Sequence, residues 1–289
     1  MKILMIIPRL AGGGAERVVS NLSMQFNNSK YGMDMLLDYN DIEYPYLGKV
    51  IILNRDFKAA TSIRNEFLTY IRKAALLYKM KKNHMYDCYI SHSDVSHILN
   101  IITGRKNCKM ILVQHSQRAN VQRSKISRII VFFAKKYYQR ADHIIAVSQG
   151  IAKECTEEYS IDREKITTIW NGSDLQRIKE AIRAPINEEQ SRWLATGKIV
   201  ITMGRYVSSK GHIHLIRAFS RVVKRYPDSK LLLLGDGELR GIYEKTIEIL
   251  HLENNVILCG FQNNPFALLG RSDVFVFPSK WEGFGYALE

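Results

Sequence analysis

Cysteine is scarce: Cys88, Cys108, Cys155 and Cys259 are the only four in 289 residues. They lie too far apart for a CxxC pair and none stands at metal-ligand spacing from a histidine, which excludes dithiol redox chemistry and a cysteine-histidine metal module. This usage fits a reducing, cytoplasmic compartment. Also missing is any apolar run near the roughly 18 to 20 residues that a bilayer requires, so membrane contact is expected to be peripheral. The apolar opening Met1–Ile7 stops at Pro8-Arg9 without a small-residue cleavage pattern, and it reads as a buried strand rather than a signal peptide. Short repeats and low-complexity tracts are absent as well.

Acidic residues are sparse in the first half only. Residues 1–150 carry 23 Lys or Arg against 10 Asp or Glu, whereas the remainder carries 19 against 18, so nearly all of the formal +14 belongs to the first half. Such a domain is attracted to phospholipid, polyphosphate or nucleic acid, and charge alone does not choose among them.

What is present is ordinary in amount, with 46% hydrophobic and 24% charged residues, as in soluble globular proteins. The length implies two domains of about 150 residues each. Short apolar runs alternate with segments of helical period, the pattern of parallel sheets covered by helices on both faces. Strands are expected at Ile3–Ile7, Val50–Leu53, Cys88–Ser91, Met110–Gln114, Ile144–Val147 and Ile166–Ile169, with a helix through about Phe26 and a long one over Ser62–Lys82. The series restarts at Ile199–Met203, Leu231–Leu234, Val256–Leu258 and Val274–Phe277. Between the two series lies the polar stretch Ala184–Gly197, and the domain boundary is placed near Trp170–Asp174, dividing the chain into 1–172 and 173–289.

Ligands of open parallel sheets bind outside the carboxyl ends of the strands, and the unusual residues of this chain fall there. Gly12-Gly13-Gly14 follows the first strand and opens a helix, where unobstructed amides and the helix dipole favour an anion. It matches neither GxGxxG nor a Walker A loop, so a tight turn is the other reading. Gly204-Arg205 and Lys210-Gly211 put two cations on one strand-to-helix connection, suited to a diphosphate leaving group or simply to a solvated basic turn. In Leu234-Gly235-Asp236-Gly237-Glu238 the acids are read as caps of the next helix in preference to a metal site.

Phe277-Pro278-Ser279-Lys280-Trp281-Glu282-Gly283-Phe284-Gly285 is the most informative segment. A carboxylate between a buried strand and a Gly-x-Gly turn can accept hydrogen bonds from sugar hydroxyls while the following amides face a phosphate. His115, at a strand end, is either structural or a partner for substrate hydroxyls. From Arg118 to Ala141 the chain carries seven Lys or Arg and no acid, interleaved with Ile129–Phe133 and Tyr137-Tyr138. The apolar run is mainly a core stripe, whereas the cations and tyrosines suit anionic lipid headgroups or a polyprenyl diphosphate. No nucleic-acid module is recognisable, and nucleic acid is not expected as a partner.

Taken in order, these segments, together with Ala141–Ser148, Asn171–Asp174 and Asp273–Ser279, resemble glycosyltransferase family four. These are retaining enzymes of bacterial polysaccharide and glycolipid synthesis. The resemblance implies a GT-B fold, an α/β architecture in which two Rossmann-like doubly wound domains face a cleft. It implies an acceptor-binding domain at 1–172 and a nucleotide-sugar donor domain at 173–289. It further implies that Arg205 and Lys210 hold the donor diphosphate and that Glu282 bonds the transferred sugar. Gly283, Phe284 and Gly285 would offer amides to sugar and phosphate, Gly12–Gly14 would approach the donor phosphate, His115 would contact sugar or acceptor, and Phe261 would lie near the base. Such enzymes use no cofactor and usually no metal. The family's second glutamate would stand one residue beyond Glu289, so the second domain is expected to be truncated.

The activity so implied is transfer of a hexose or N-acetylhexosamine from a nucleotide-diphosphate sugar, UDP first among them, to a lipid-linked or polysaccharide acceptor at the inner face of the membrane. A non-catalytic basic module resting on anionic membrane is the alternative. A nucleotide-sugar epimerase of the same architecture is a third.

Overall fold

A computed structural model of the chain describes residues 1–27, 30–54, 63–104, 107–116, 125–282 and 284–288. The chain divides into two compact units, Met1–Gly172 and Ser173–Glu289.

The first unit is built on a seven-stranded parallel sheet of β1 (Lys2–Ile7), β2 (Gly32–Tyr39), β3 (Val50–Asn54), β4 (Cys88–Ser91), β5 (Lys109–Gln114), β6 (His143–Ala146) and β7 (Ile166–Thr168), in the order β3-β2-β1-β4-β5-β6-β7. Its helices are α1 (Gly14–Phe26), α2 (Ile63–Lys82), α3 (Asp94–Ile102), α4 (Lys125–Tyr137) and α5 (Gln149–Glu157). The near-continuous apolar content of β1 follows from burial on both faces. Ile3, Met5 and Ile7 pack with Met33, Met35 and Leu37 against Val19 of α1, while Leu4, Ile6 and Leu36 pack against Leu77 and Met80 of α2 and Leu99 of α3. Each such fully buried aliphatic side chain contributes on the order of 1.5–3 kcal/mol.

Strand β2 has no counterpart among the strands expected from sequence. Asp34 and Asp38 interrupt its apolar run, and aspartate is depleted in strands. The structure accommodates Asp38, 3% exposed, by bringing the fully buried ammonium of Lys73 on α2 to 2.8 Å from its carboxylate. Lys73 also donates to Ser96 Oγ at 2.9 Å. Burial pushes the Asp38 carboxyl up and the Lys73 amine down, against the pull of their mutual attraction.

In the second unit, α6 (Leu175–Arg183) and α7 (Glu188–Trp193) precede β8 (Ile199–Met203), α8 (His212–Arg225), β9 (Lys230–Leu234), α9 (Arg240–Ile249), β10 (Val256–Gly260), α10 (Phe266–Leu269) and β11 (Val274–Phe275). The four strands are parallel, in the order β10-β9-β8-β11. One face buries Leu231 and Leu233 against Ile216 and Phe219 of α8 and Tyr243 of α9; the other buries Ile199, Ile201 and Leu234 against Leu268 of α10. Helix α6 joins this unit through Asn264 Nδ2 and Arg271 Nη1, which donate to the carbonyls of Ala181 and Ile182. Helix α7 lies within the polar stretch read from sequence as a connection. Its signal is a capping box, in which Asn187 Oδ1 accepts from Gln190 N and Gln190 Oε1 accepts from Asn187 N.

Both sheets change direction of winding at one place, between β1 and β4 in the first and between β8 and β11 in the second. Loops leaving neighbouring strands on opposite sides of such a point part to leave a crevice.

Candidate functional site

In the second unit the loop after β8 and the loop after β11 meet at this switch point. Gly211 makes their approach possible. It is the N-cap of α8 in the left-handed region, with φ 67°, and a Cβ there would stand 2.2 Å from the carbonyl oxygen of Pro278. Lys280 N then donates to Ser209 O at 2.8 Å, tying the two loops together.

Across this seam Lys210 Nζ lies 2.5 Å from Glu282 Oε1. The two side chains remain 24% and 25% exposed, so the pair is open to a ligand. The ammonium also lies 5.6 Å from the centroid of the Phe277 ring. Behind it, His212 is buried between Tyr206 and Tyr243, and neither ring nitrogen has a partner among the described residues. Burial and the Lys210 charge push its imidazole down to about 4. Ser279 Oγ is likewise buried without a partner among the described residues. Sequence reasoning gave Ser279 no role of its own within the Phe277–Gly285 segment, and it passed over His212, which directly follows Lys210-Gly211.

The remaining residues expected at this site are distributed as follows. Arg205 is exposed at the carboxyl end of β8. Phe284 and Gly285 are half-buried, Gly285 with φ 41° ahead of a 3₁₀ turn over Tyr286–Leu288, whereas Gly283 lies outside the described residues. Phe261, 56% exposed, follows β10, and the strand order sets it two strands from β8. Asp236 does not cap α9, whose N-cap Leu239 receives no side-chain bond. Instead, Asp236 Oδ1 accepts from Gly237 N at 2.8 Å and the other oxygen pairs with Arg240 at 3.4 Å, because Gly235 and Gly237 turn the chain before the helix begins. Among the described residues no group of three or more His, Cys, Asp or Glu is disposed to hold a metal ion.

In the first unit Gly12, with φ 71°, and Gly13, the extended N-cap of α1, turn the chain from β1 into the helix. The Glu16 carboxylate is folded back over this loop, 2.1 Å from where a Cβ on Gly13 would stand. A glutamate at the third helical position reaching back to the N-cap is half of a capping box. The anion-favouring end of α1 therefore already has a carboxylate beside it.

His115 follows β5 and is met by a residue sequence reasoning passed over, His92, at the carboxyl end of β4. His92 Nδ1 and His115 Nε2 are 3.0 Å apart. Burial pushes both imidazoles down, His115 to about 3. The available signal was positional, since Ser91-His92-Ser93 leaves the strand next to the switch in winding. A hollow of about 450 Å³ lined by Asp87, Asn107, Cys108 and Lys109 lies at the amino ends of β4 and β5, the opposite end of the sheet.

On α4, Phe132 is 60% exposed and Arg128, Lys135 and Lys136 are exposed beside it, while Ala134 faces the core. Lys136 lies over the rings of Phe132 and Tyr137, and Arg140 over Tyr137. The expected core stripe is thus partly an outward aromatic face. Residues 117–124 of the basic segment lie outside the described residues. No described helix is long and apolar enough to cross a membrane.

Comparison with known proteins identifies the family and the fold. Residues 12–177 match the family Glycosyltransferase Family 4, and residues 184–288 match Glycosyl transferases group 1. An uncharacterized glycosyltransferase of Methanocaldococcus jannaschii is 31% identical over 222 residues, 74% of this chain and 55% of the relative. The N-acetylgalactosamine-N,N'-diacetylbacillosaminyl-diphospho-undecaprenol 4-alpha-N-acetylgalactosaminyltransferase of Campylobacter jejuni is 26% identical over 294 residues, 99% of this chain and 77% of the relative. The crystal structure of Anabaena HepE in complex with UDP and glucose superposes with a TM-score of 0.73 at 19% identity, over 99% of this chain and 77% of that one. The chain thus spans between about half and three quarters of the length of these relatives. With the first unit matched almost throughout and two parallel doubly wound sheets of the GT-B type, the chain belongs to glycosyltransferase family 4.

Proposed function

We propose that this protein transfers a hexose or N-acetylhexosamine from a nucleotide-diphosphate sugar to a lipid-linked or polysaccharide acceptor, with retention of anomeric configuration. The observation that carries this reading is the Lys210–Glu282 pair across the seam between the loops that follow β8 and β11. A cation and a carboxylate in contact and partly open offer the two halves of a sugar diphosphate what each needs. Lys210, joined by Arg205, neutralises the departing diphosphate, and Glu282 accepts hydrogen bonds from the sugar hydroxyls. Amides at Gly283, Phe284 and Gly285 and at Gly12–Gly14 serve phosphate and sugar, His115 meets the sugar or the acceptor, and Phe261 lies by the base.

UDP is the nucleotide proposed, since HepE, of the same fold, carries UDP and glucose. A lipid-linked acceptor is proposed from the diphospho-undecaprenol substrate in the name of the Campylobacter relative. The exposed Phe132, Lys135 and Lys136 face of α4, in the basic first unit, would rest on anionic headgroups and so bring the enzyme to that acceptor at the inner face of the membrane. The same face supports the second reading, a basic membrane-surface module without chemistry.

The test is incorporation of label from a panel of radiolabelled UDP-sugars into undecaprenyl-diphosphate-linked saccharide, with sedimentation on phosphatidylglycerol vesicles and nucleotide calorimetry alongside. Transfer that disappears in Lys210→Ala, Arg205→Ala and Glu282→Ala supports the enzyme. Vesicle binding with no nucleotide heat and no transfer supports the module instead.

A further inference from the structure

Two rings that sequence separates by 23 residues meet in the first unit. The centroids of His92 and His115 are 5.3 Å apart and their planes differ by 27°. That separation is close to the 3.0 Å between Nδ1 and Nε2 plus two ring radii, so the rings meet edge to edge with the nitrogens pointing at one another. His92 is held from behind: it is 3% exposed, and its backbone N–H donates to Ile6 O across the β1–β4 seam at 3.0 Å. Its neighbours are committed elsewhere, His97 Nδ1 to Ser91 Oγ at 2.8 Å and Ser93 Oγ to Ser96 Oγ at 2.8 Å.

One hydrogen bond between two neutral imidazoles has two possible directions, and the far nitrogen of His92 decides between them. His92 Nε2 is buried without a partner among the described residues. If His115 donated, His92 Nδ1 would be bare, and its proton would sit on Nε2 as a buried, unsatisfied donor. If His92 donates from Nδ1, Nε2 is a bare acceptor, the less costly atom to leave alone in an interior. We propose that His92 is a positioning residue that donates its Nδ1–H to Nε2 of His115, fixing His115 as the Nδ1–H tautomer, so that the atom His115 presents to a ligand is a neutral N–H donor suited to a sugar hydroxyl or oxyanion. The burial that pushes His115 to about 3 keeps the ring neutral from about pH 5 to 8. This role rests on the placing of His115 at the sugar or acceptor in the proposed function, but the tautomer itself does not.

The experiment reads the two separately. In the full chain labelled with ¹⁵N-histidine, long-range proton–nitrogen correlation assigns the protonated nitrogen of His115 in the wild type, His92→Asn and His92→Leu. Asparagine can place an N–H where His92 Nδ1 stood, and leucine cannot. The expected result is Nδ1–H in the wild type and in His92→Asn, with the Nε2–H form appearing in His92→Leu. Transfer kinetics should follow, with kcat/KM about ten-fold lower in His92→Leu and largely restored in His92→Asn. An Nε2–H His115 in the wild type overturns the proposal, and so does a His115 spectrum unchanged by His92→Leu. Should the leucine variant not fold, the wild-type and asparagine spectra decide by the same criterion. The expected tautomers in a protein that transfers no sugar would overturn the proposed function and leave the His92–His115 relationship standing.

Discussion

Lys210 and Glu282, 72 residues apart in sequence, stand with Nζ and Oε1 2.5 Å from each other across the seam between β8 and β11. Being about a quarter exposed, the pair adds little to folding, on the order of 0–1 kcal/mol. Its worth lies in what it offers a ligand. Lys210→Ala is therefore expected to leave the melting temperature nearly unchanged while weakening UDP binding at least about ten-fold, the loss of one charge-assisted contact. Thermal unfolding and calorimetric titration of the same samples check this. A variant that melts early yet binds UDP with full heat would reverse the assignment.

Gly211 holds the two loops at contact distance. Replacing it with alanine forces a side chain into φ 67° and sets Cβ 2.2 Å from the Pro278 carbonyl, which is backbone and cannot rotate away. The conformational strain alone costs about 1–3 kcal/mol, and relief of the clash must part the loops. Gly211→Ala should lower the urea midpoint and weaken UDP binding together, unlike Lys210→Ala. Urea midpoint and nucleotide affinity measured on both variants separate the effects.

Asp38 and Lys73 form a buried pair of the kind in which losing one partner is worse than losing both. Lys73→Met would strand the Asp38 carboxylate in the interior at a cost of about 3–5 kcal/mol. The double variant Asp38→Leu/Lys73→Met removes both charges and should recover most of that loss, apart from the Lys73 bond to Ser96 Oγ. Denaturant unfolding of the wild type, both single variants and the double gives the coupling; additive losses would refute it.

Stability should fall on mild acidification. His97 is pushed down to about 4 by burial, as is His212 by burial and Lys210, and His115 lies near 3, all below the ordinary 6.5. Below pH 6.5 the unfolded chain therefore binds protons that the native chain does not. The contribution of these residues is intact above pH 6.5 and is lost as pH drops toward 4. Each unit of pH in that window costs up to about 1.4 kcal/mol per histidine. His212→Phe removes one such group without breaking a hydrogen bond among the described residues, and can keep the ring contacts with Tyr206 and Tyr243. Its stability relative to wild type should improve by about 2 kcal/mol between pH 6.5 and 5. Denaturant titrations at the two pH values measure the difference, and equal slopes for both proteins would refute the attribution.

Much of the fold was legible wherever a strand is buried on both faces. Ile3–Ile7 and Leu231–Leu234 read as strands because water touches neither side of them. Strand β2 was not legible, because Asp38 looks unfit for a strand until Lys73 is seen beside it, and nothing in the local pattern announces a partner 35 residues on. Helix α7 was missed for the opposite reason: it buries none of its residues fully, so it shows no apolar stripe and only its capping box marks it. At the site, Lys210 and Glu282 were each visible as a charge beside glycine at a strand end. His92 was not, since a histidine between two serines has no local mark of function.

The amino-acid order by itself determined two parallel-sheet units and the glycine turns at their strand ends, because hydrophobic period and backbone freedom act over a few neighbouring residues. Only the tertiary structure decided that β11 lies against β8 and β4 against β1, and hence that Lys210 touches Glu282 and His92 touches His115. Strand order follows from how the whole sheet buries its two faces, and no segment carries that information alone.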